Sequence, residues 1–278
     1  MIYLLLAIAC SALISICMRI SEKHIKNEMG MFMANYALCI LLSFVYMDGK
    51  LAFPVQGLPV TVGLGVINGV LFLAGFLFLK LNMKHNGIVM ASTFMKLGVL
   101  IPTLMAIVVF GEVPRWTQVV GIFIALAAIV IIHFEKDAMQ EIGKKLWLLL
   151  LLIVSGITDS MANIFDKVGN VAGQDAYLFI TFFVAFLLAL VAALHSKTKI
   201  SAKDVLFGIV IGVPNYYSAR FLLLAVGSVD AVLVYPTYSV ATIVVITVVG
   251  ILAFREKVSV KKMLALGLIA VALCLLNI

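Results

Sequence analysis

The stretch Gly111-Glu112-Val113-Pro114-Arg115 joins two apolar runs, residues 88–110 and 116–132. At about 1.5 Å per residue, each run is about long enough to cross a bilayer core of roughly 30 Å as a helix. Because the joining segment can only form a turn, the two runs predict a membrane hairpin with a charged elbow. A second hairpin near the C-terminus has Arg255-Glu256-Lys257 at its elbow, and Glu256 lies 144 positions after Glu112.

The composition is that of an integral membrane protein. The 278-residue chain is 64% hydrophobic and 12% charged, whereas soluble domains have about 45–50% apolar and about 25% charged residues. Its four cysteines lie in apolar runs, where we expect them to act as packing residues. The sequence has no CxxC, HExxH or glycine-rich phosphate motif, so no cofactor or metal is expected. The absence of a spaced nucleophile or metal set also argues against an enzyme.

Hydropathy predicts an all-α polytopic membrane protein with ten transmembrane helices. The predicted spans are residues 2–20, 29–47, 58–79, 88–110, 116–132, 146–165, 176–194, 205–226, 231–254 and 263–278.

Basic residues predict the orientation of these spans. Fifteen lie in the loops that follow odd-numbered helices, and three lie in the other four loops. Because positively charged loops stay in the cytoplasm, both termini are predicted to be external, in the plasma or inner membrane of a cell. The net charge of +7 is therefore attributed to topology, and no nucleic-acid partner is expected.

The two halves of the chain share polar positions, which predicts an internal repeat. A shift of 144 places Ser11 on Ser155 and Glu112 on Glu256, and a shift of 143 places the Gly65/Gly69 pair on Gly208/Gly212. We therefore expect a first repeat at 1–135, a connecting loop at 136–145 and a second repeat at 146–278. Since each repeat holds five helices, the two must insert in opposite senses, as in many secondary transporters.

The elbow and its flanks resemble a known family. Phe110-Gly111-Glu112 follows a helix that contains Pro102, and Trp116-Thr117-Gln118-Val119-Val120-Gly121 opens the next helix. This pattern is similar to that of the EamA-type transporters of the drug/metabolite transporter superfamily. The resemblance implies a central cavity lined by helices 1, 3, 4, 6, 8 and 9, with helices 5 and 10 at the periphery.

Three charges are predicted at membrane depth: Lys96, Asp159 and Arg220. Each costs about 2.5–3.5 kcal/mol at a helix centre, so each must pair or face water or substrate. Asp159 and Arg220 reach similar depth and are predicted to be ion-paired or to share the cavity wall. That pair could be a static lock or could respond to substrate. Lys96 could line the cavity or extend to the cytoplasmic interface.

Further polar and aromatic residues are candidates for substrate binding. Two lie beside Pro214 and two beside Pro236, because a proline bend is tolerated best next to a cavity. Tyrosines there could bind an amine or a polar solute, or could simply pack. The candidates are Asn163, Asn215, Tyr216, Tyr235 and Tyr238.

These features predict a secondary transporter that moves a small polar metabolite, such as an amino acid or another zwitterion, by alternating access. An exporter of cationic or aromatic compounds and a non-transporting partner subunit are the alternatives. If transport is coupled to protons, Asp159 is the one carboxylate predicted deep enough to carry them. The expected partners are the lipid bilayer and a small-molecule substrate, and a homodimer stays open.

Overall fold

The structure is a computed structural model that describes residues 1–21, 24–49, 57–133 and 142–254, with isolated positions between 264 and 275. Within these ranges it contains helices and no strand. A short 3-10 turn, Val171–Gly173, precedes α7. The α-helices are α1 Ile2–Ser21, α2 Glu28–Tyr46, α3 Leu58–Leu97, α4 Leu100–Val108, α5 Trp116–His133, α6 Ile142–Val168, α7 Gln174–Leu194, α8 Ala202–Val226 and α9 Ala231–Phe254.

The all-helical membrane prediction is confirmed. Six of the described helical segments are long and apolar enough to cross a bilayer. Large apolar side chains lie exposed along them, such as Leu5 and Leu206, which are 65% and 59% exposed. Glu256, most of the loop at 136–145 and most of the tenth predicted helix lie outside the described residues, so the count of ten helices stays a prediction.

The third predicted span, residues 58–79, agrees with a candidate membrane span at Leu58–Leu79, but the predicted break between it and the fourth span is wrong. The loop expected at 80–87 is helical, and α3 continues to Leu97. Asn82 supports this continuation by donating to the carbonyls of Phe78 and Trp147, at 2.8 and 2.9 Å. The break comes instead at Gly98 and Val99, because Pro102 cannot donate to the carbonyl four residues before it.

The helices form two compact units, and each unit combines segments from both halves of the chain. The α2–α7 unit consists of Ile2–Leu73 and Ile164–Leu224. The α4–α9 unit consists of Met1, Ala74–Asn163 and Ala225–Ile278. These compact units are not the predicted repeats, whose boundaries stay a prediction.

Glycines bring helix backbones into contact in the α2–α7 unit. A Cβ atom on Gly69 of α3 would lie 2.6 Å from the carbonyl oxygen of Thr181 on α7. A Cβ atom on Gly208 of α8 would collide with the carbonyl oxygen of Met31 on α2. In lipid, where apolar side chains gain little by leaving solvent, such close contact is a main source of helix association.

Polar caps fasten one end of the same unit. The segment Ser201-Ala202-Lys203-Asp204 forms a capping box, in which each end residue accepts from the backbone N–H of the other. The Asp204 carboxylate also accepts from the backbone N–H of Lys26 at 2.8 Å. Asn27 caps α2 and donates to the carbonyl of Thr198 at 2.7 Å, so the loop before α2 is tied to the loop before α8.

Replacing Gly69 with alanine should destabilise the protein by about 1–3 kcal/mol, because the added methyl group would collide with backbone that cannot move aside. Gly63 lies in the same helix and has open space where its Cβ would be. Gly63→Ala should therefore leave stability unchanged or raise it slightly. Thermal unfolding in detergent measures both variants, and equal effects would contradict the close α3–α7 contact.

Candidate functional site

The structure divides the predicted site residues between the two units. The side chain of Lys96, in α3, lies outside the described part of the structure. The α4–α9 unit holds Asp159, Asn163, Tyr235 and Tyr238, and the α2–α7 unit holds Asn215, Tyr216 and Arg220.

In the α4–α9 unit, α6 and α9 meet through a tyrosine. The Tyr235 hydroxyl donates to the backbone carbonyl of Asp159 at 2.7 Å. The Tyr235 side chain is 1% exposed, so this bond is protected from solvent and lipid. It brings the first turn of α9 against the turn of α6 that carries Asp159 and precedes Asn163.

Buried side chains of α6 and α9 in this unit have unused hydrogen-bonding capacity among the described residues. The Asn163 side chain is 0% exposed, and neither its amide nitrogen nor its oxygen has a hydrogen-bond partner among the described residues. The Thr237 hydroxyl of α9 is likewise buried and unpartnered within the described ranges. Leaving a buried donor or acceptor unsatisfied costs about 1–3 kcal/mol. These groups are therefore candidates for contact with a polar solute or with water.

Pro236 separates the Tyr235 and Thr237 side chains in α9. It also lines a small void with residues of α4, α5 and α9, including Thr103 and Val240. At about 10 Å³ this void has room for at most one water molecule. The void itself is therefore not a metabolite site.

In the α2–α7 unit, Arg220 is paired with an acidic residue that the sequence analysis missed. Its guanidinium forms an ion pair with the Asp175 carboxylate in the first turn of α7. Arg220 thus has an acidic partner other than Asp159, and the expectation that Arg220 and Asp159 pair or share a cavity wall stays a prediction. Arg220 lies about 27 Å from the start of α8 at 1.5 Å per residue, near the far end of that helix, which places it level with the start of α7.

Aromatic side chains surround the Arg220 guanidinium. Its central carbon lies 3.9 Å from the centre of the Tyr46 ring, a cation–π distance, and Tyr46 is the last residue of α2. The guanidinium also donates to the Tyr216 hydroxyl at 3.2 Å. Tyr217 completes the group through a hydroxyl contact of 3.4 Å with Tyr46. Arg220 thus joins the ends of α2, α7 and α8, as expected of a structural lock.

Asn215 also serves helix packing. Its side-chain nitrogen donates to the Asn35 oxygen of α2 at 3.3 Å, and Asn215 is 5% exposed. The Cys39 thiol donates to the carbonyl of Gly212 beside it, at 3.4 Å. These contacts hold α8 against α2 and favour a structural role for Asn215.

Sequence reasoning missed Asp175, Tyr46 and Thr237 as partners or candidates. Asp175 and Tyr46 each lie at a helix end, where polar and aromatic residues are common in membrane proteins. Their pairing with Arg220 could have been suggested by counting the length of α8. Thr237 gave no signal beyond its place next to Pro236. Among the described residues, no group of three His, Cys, Asp or Glu side chains could hold a metal ion.

A double-mutant cycle should separate the two proposed partners of Arg220. Arg220→Gln and Asp175→Asn should show a coupling energy of about 0.5–1 kcal/mol in unfolding experiments, since the pair is partly exposed. Arg220→Gln and Asp159→Asn should be additive. Coupling only in the second cycle would mean that Asp159 is the true partner.

Two family models match separate parts of the chain. Residues 1–134 match the EamA-like transporter family, and residues 175–269 match the small multidrug resistance proteins. The α-helical membrane architecture described above agrees with both matches.

Individual relatives extend the likeness along the chain. An uncharacterized protein of Haemophilus influenzae is 26% identical over 281 aligned positions, which cover 96% of this chain and 93% of that protein. The uncharacterized membrane protein YvaE of Bacillus subtilis is 45% identical over 61 residues, 22% of this chain and 51% of its own length. A crystal structure of a protein matches 99% of this chain and 94% of its own, with a TM-score of 0.79 and 14% identity, which shows the fold alone. The elbow sequence that resembles the EamA-type transporters, the helical membrane fold and the two family matches agree, and together they support membership of the chain in the drug/metabolite transporter superfamily, with an EamA-like first half.

Proposed function

We propose that the protein is a secondary transporter that moves a small polar metabolite, such as an amino acid or another zwitterion, across the cytoplasmic membrane by alternating access. The family supports transport. The observation that carries the substrate class is the buried Asn163 amide, whose donor and acceptor are both unused among the described residues.

The chemistry of the α6–α9 contact suits such a solute. The Asn163 oxygen can accept from an ammonium group, and its nitrogen can donate to a carboxylate. The Thr237 hydroxyl can do either. Tyr235 already donates to the Asp159 carbonyl, so its ring would form a wall of the site and its hydroxyl would hold the wall in place.

The helix contacts bear on how access would alternate. Moving the two halves of the sequence as rigid bodies would pull α2 away from α7 and Gly208 away from Met31. We therefore propose that access changes by bending of helices that contain a proline, α8 at Pro214 and α9 at Pro236. These bends would leave the packed helix pairs of each unit intact.

The glycine contacts also support the inverted repeat. The α3 pair packs on α7, and the α8 pair, 143 positions later, packs on α2. Exchanging the two halves turns one contact into the other, as a pseudo-two-fold axis would require.

One observation favours the second candidate, an exporter of cationic compounds. The Tyr235 hydroxyl bonds to the backbone carbonyl of Asp159, which brings an aromatic ring of α9 to the turn of α6 that carries this residue. A carboxylate on α6 next to tyrosines of α9 would suit an organic cation. Substrate charge decides between the two candidates.

A thermal-shift screen of the purified protein in detergent should test the proposal. The panel covers amino acids, amines, nucleosides, sugars and organic acids. A ligand at 100 times its dissociation constant should add about 2.7 kcal/mol to the stability of the folded state. Asn163→Leu should abolish that effect, yet it should unfold at the wild-type temperature or above, because it removes an unsatisfied buried amide.

Asp159→Asn distinguishes the two substrate classes in the same screen. The cation exporter would be supported if amines, but not amino acids, stabilised the wild-type protein and if Asp159→Asn lost this stabilisation. If no class of compound stabilises the wild type, the non-transporting partner subunit becomes the better interpretation. Asn215→Leu is the matched control, because Asn215 is bonded within the fold, and it should lower stability with or without ligand.

We also propose that the protein lies in the cytoplasmic membrane with both termini external, from the distribution of basic residues. A reporter that is active only outside the cytoplasm, fused after Ile278, should be active in intact cells. A fusion after Asp137 in the α5–α6 loop should be inactive. The reverse pattern would overturn the orientation.

A further inference from the structure

The elbow between α4 and α5, residues 111–115, makes a long-range contact. Gly111, with a φ of +69°, turns the chain after α4, and the backbone N–H of Glu112 donates to the carbonyl of Ala106 at 3.0 Å. This turn fixes the backbone from which the Glu112 side chain extends. The carboxylate accepts from the backbone N–H of Val232 at 2.8 Å, 120 positions along the chain.

Val232 lies in the first turn of α9, where backbone N–H groups have no acceptor within the helix. A carboxylate at this end of a helix also interacts favourably with the helix dipole. Glu112, in the turn between α4 and α5, therefore caps α9 by accepting from a backbone N–H group that has no acceptor within that helix.

The first turn of α9 depends on this cap more than an ordinary first turn would. Pro236 has no N–H, so the carbonyl of Val232 loses the donor that a helix normally provides four residues later. The turn that contains Tyr235 is therefore joined to the rest of α9 by fewer hydrogen bonds. Pro236 lies between Tyr235, which bonds to the Asp159 carbonyl of α6, and Thr237, whose buried hydroxyl is a candidate for substrate contact.

We propose that Glu112 is a positioning residue for the transport site. Its hydrogen bond to Val232 holds the first turn of α9 in the register that places Tyr235 on Asp159 and Thr237 in the substrate site. This inference rests on the proposed function for the site itself, whereas the positioning can be measured without a substrate.

Hydrogen exchange and thiol labelling of the full-length protein in detergent test the proposal. In Glu112→Ala, amides in residues 231–235 should exchange about 10-fold faster, equivalent to about 1.4 kcal/mol. Maleimide labelling at position 237, in a Thr237→Cys background read by peptide mass, should change about 5-fold or more. Glu112→Gln keeps an acceptor and should restore both values. Val113→Ala, at an 89% exposed position of the same elbow, should match the wild type.

A second variant guards against loss of folding. Pro236→Ala returns an N–H donor to the Val232 carbonyl, so adding it to Glu112→Ala should recover most of the protection. The positioning role would be overturned if the amides of residues 231–235 exchanged at the wild-type rate in Glu112→Ala. It would also be overturned if exchange became faster by the same factor in every helix. Faster exchange with unchanged labelling at position 237 would overturn the link to the site. Failure of the proposed function would appear separately, as a ligand screen without hits.

Discussion

A polar group inside a bilayer must find its partner within the protein, because lipid tails offer none. This constraint accounts for most of the polar contacts described. Asn82 bonds two carbonyls, Ser155 donates to the carbonyl of Met95 at 3.2 Å, and Asn215 donates to the Asn35 oxygen. Asn163 departs from the pattern within the described residues, since it is buried with its amide unused. A transporter needs such groups, because its substrate must exchange hydrogen bonds with water for hydrogen bonds with the protein.

Close backbone contact is the second way in which the fold is held together. Gly69 and Gly208 bring α3 onto α7 and α8 onto α2, so each contact joins the first half of the chain to the second. Gly98 does the same in the α4–α9 unit, where its Cβ would lie 2.6 Å from the Ser155 hydroxyl. Because these contacts join the two halves, the motion that we propose for transport takes place at the proline bends and not between the halves.

The Glu112 contact both satisfies a polar group and joins the two halves of the chain. It satisfies a backbone donor at a helix end and also links a motif of the first half to a helix of the second. The family motif at the elbow thus acquires a physical role, which is to hold the helix that carries Tyr235 and Thr237. A residue outside the site can in this way set the geometry of the site.

The sequence by itself determined the membrane class, six helices to within about three residues at each end, and Asp159, Asn163 and Tyr235 as candidates. These features follow from hydropathy and residue spacing, which are set by residues close together in the sequence. Only the tertiary structure decided that Arg220 pairs with Asp175, that Asn215 packs against Asn35, and that Glu112 caps α9. It also placed the helix break at Gly98 and not at 80–87. Partners 45, 180 and 120 positions apart are chosen by which helix faces meet in three dimensions, and periodicity along one helix carries no information on its neighbour.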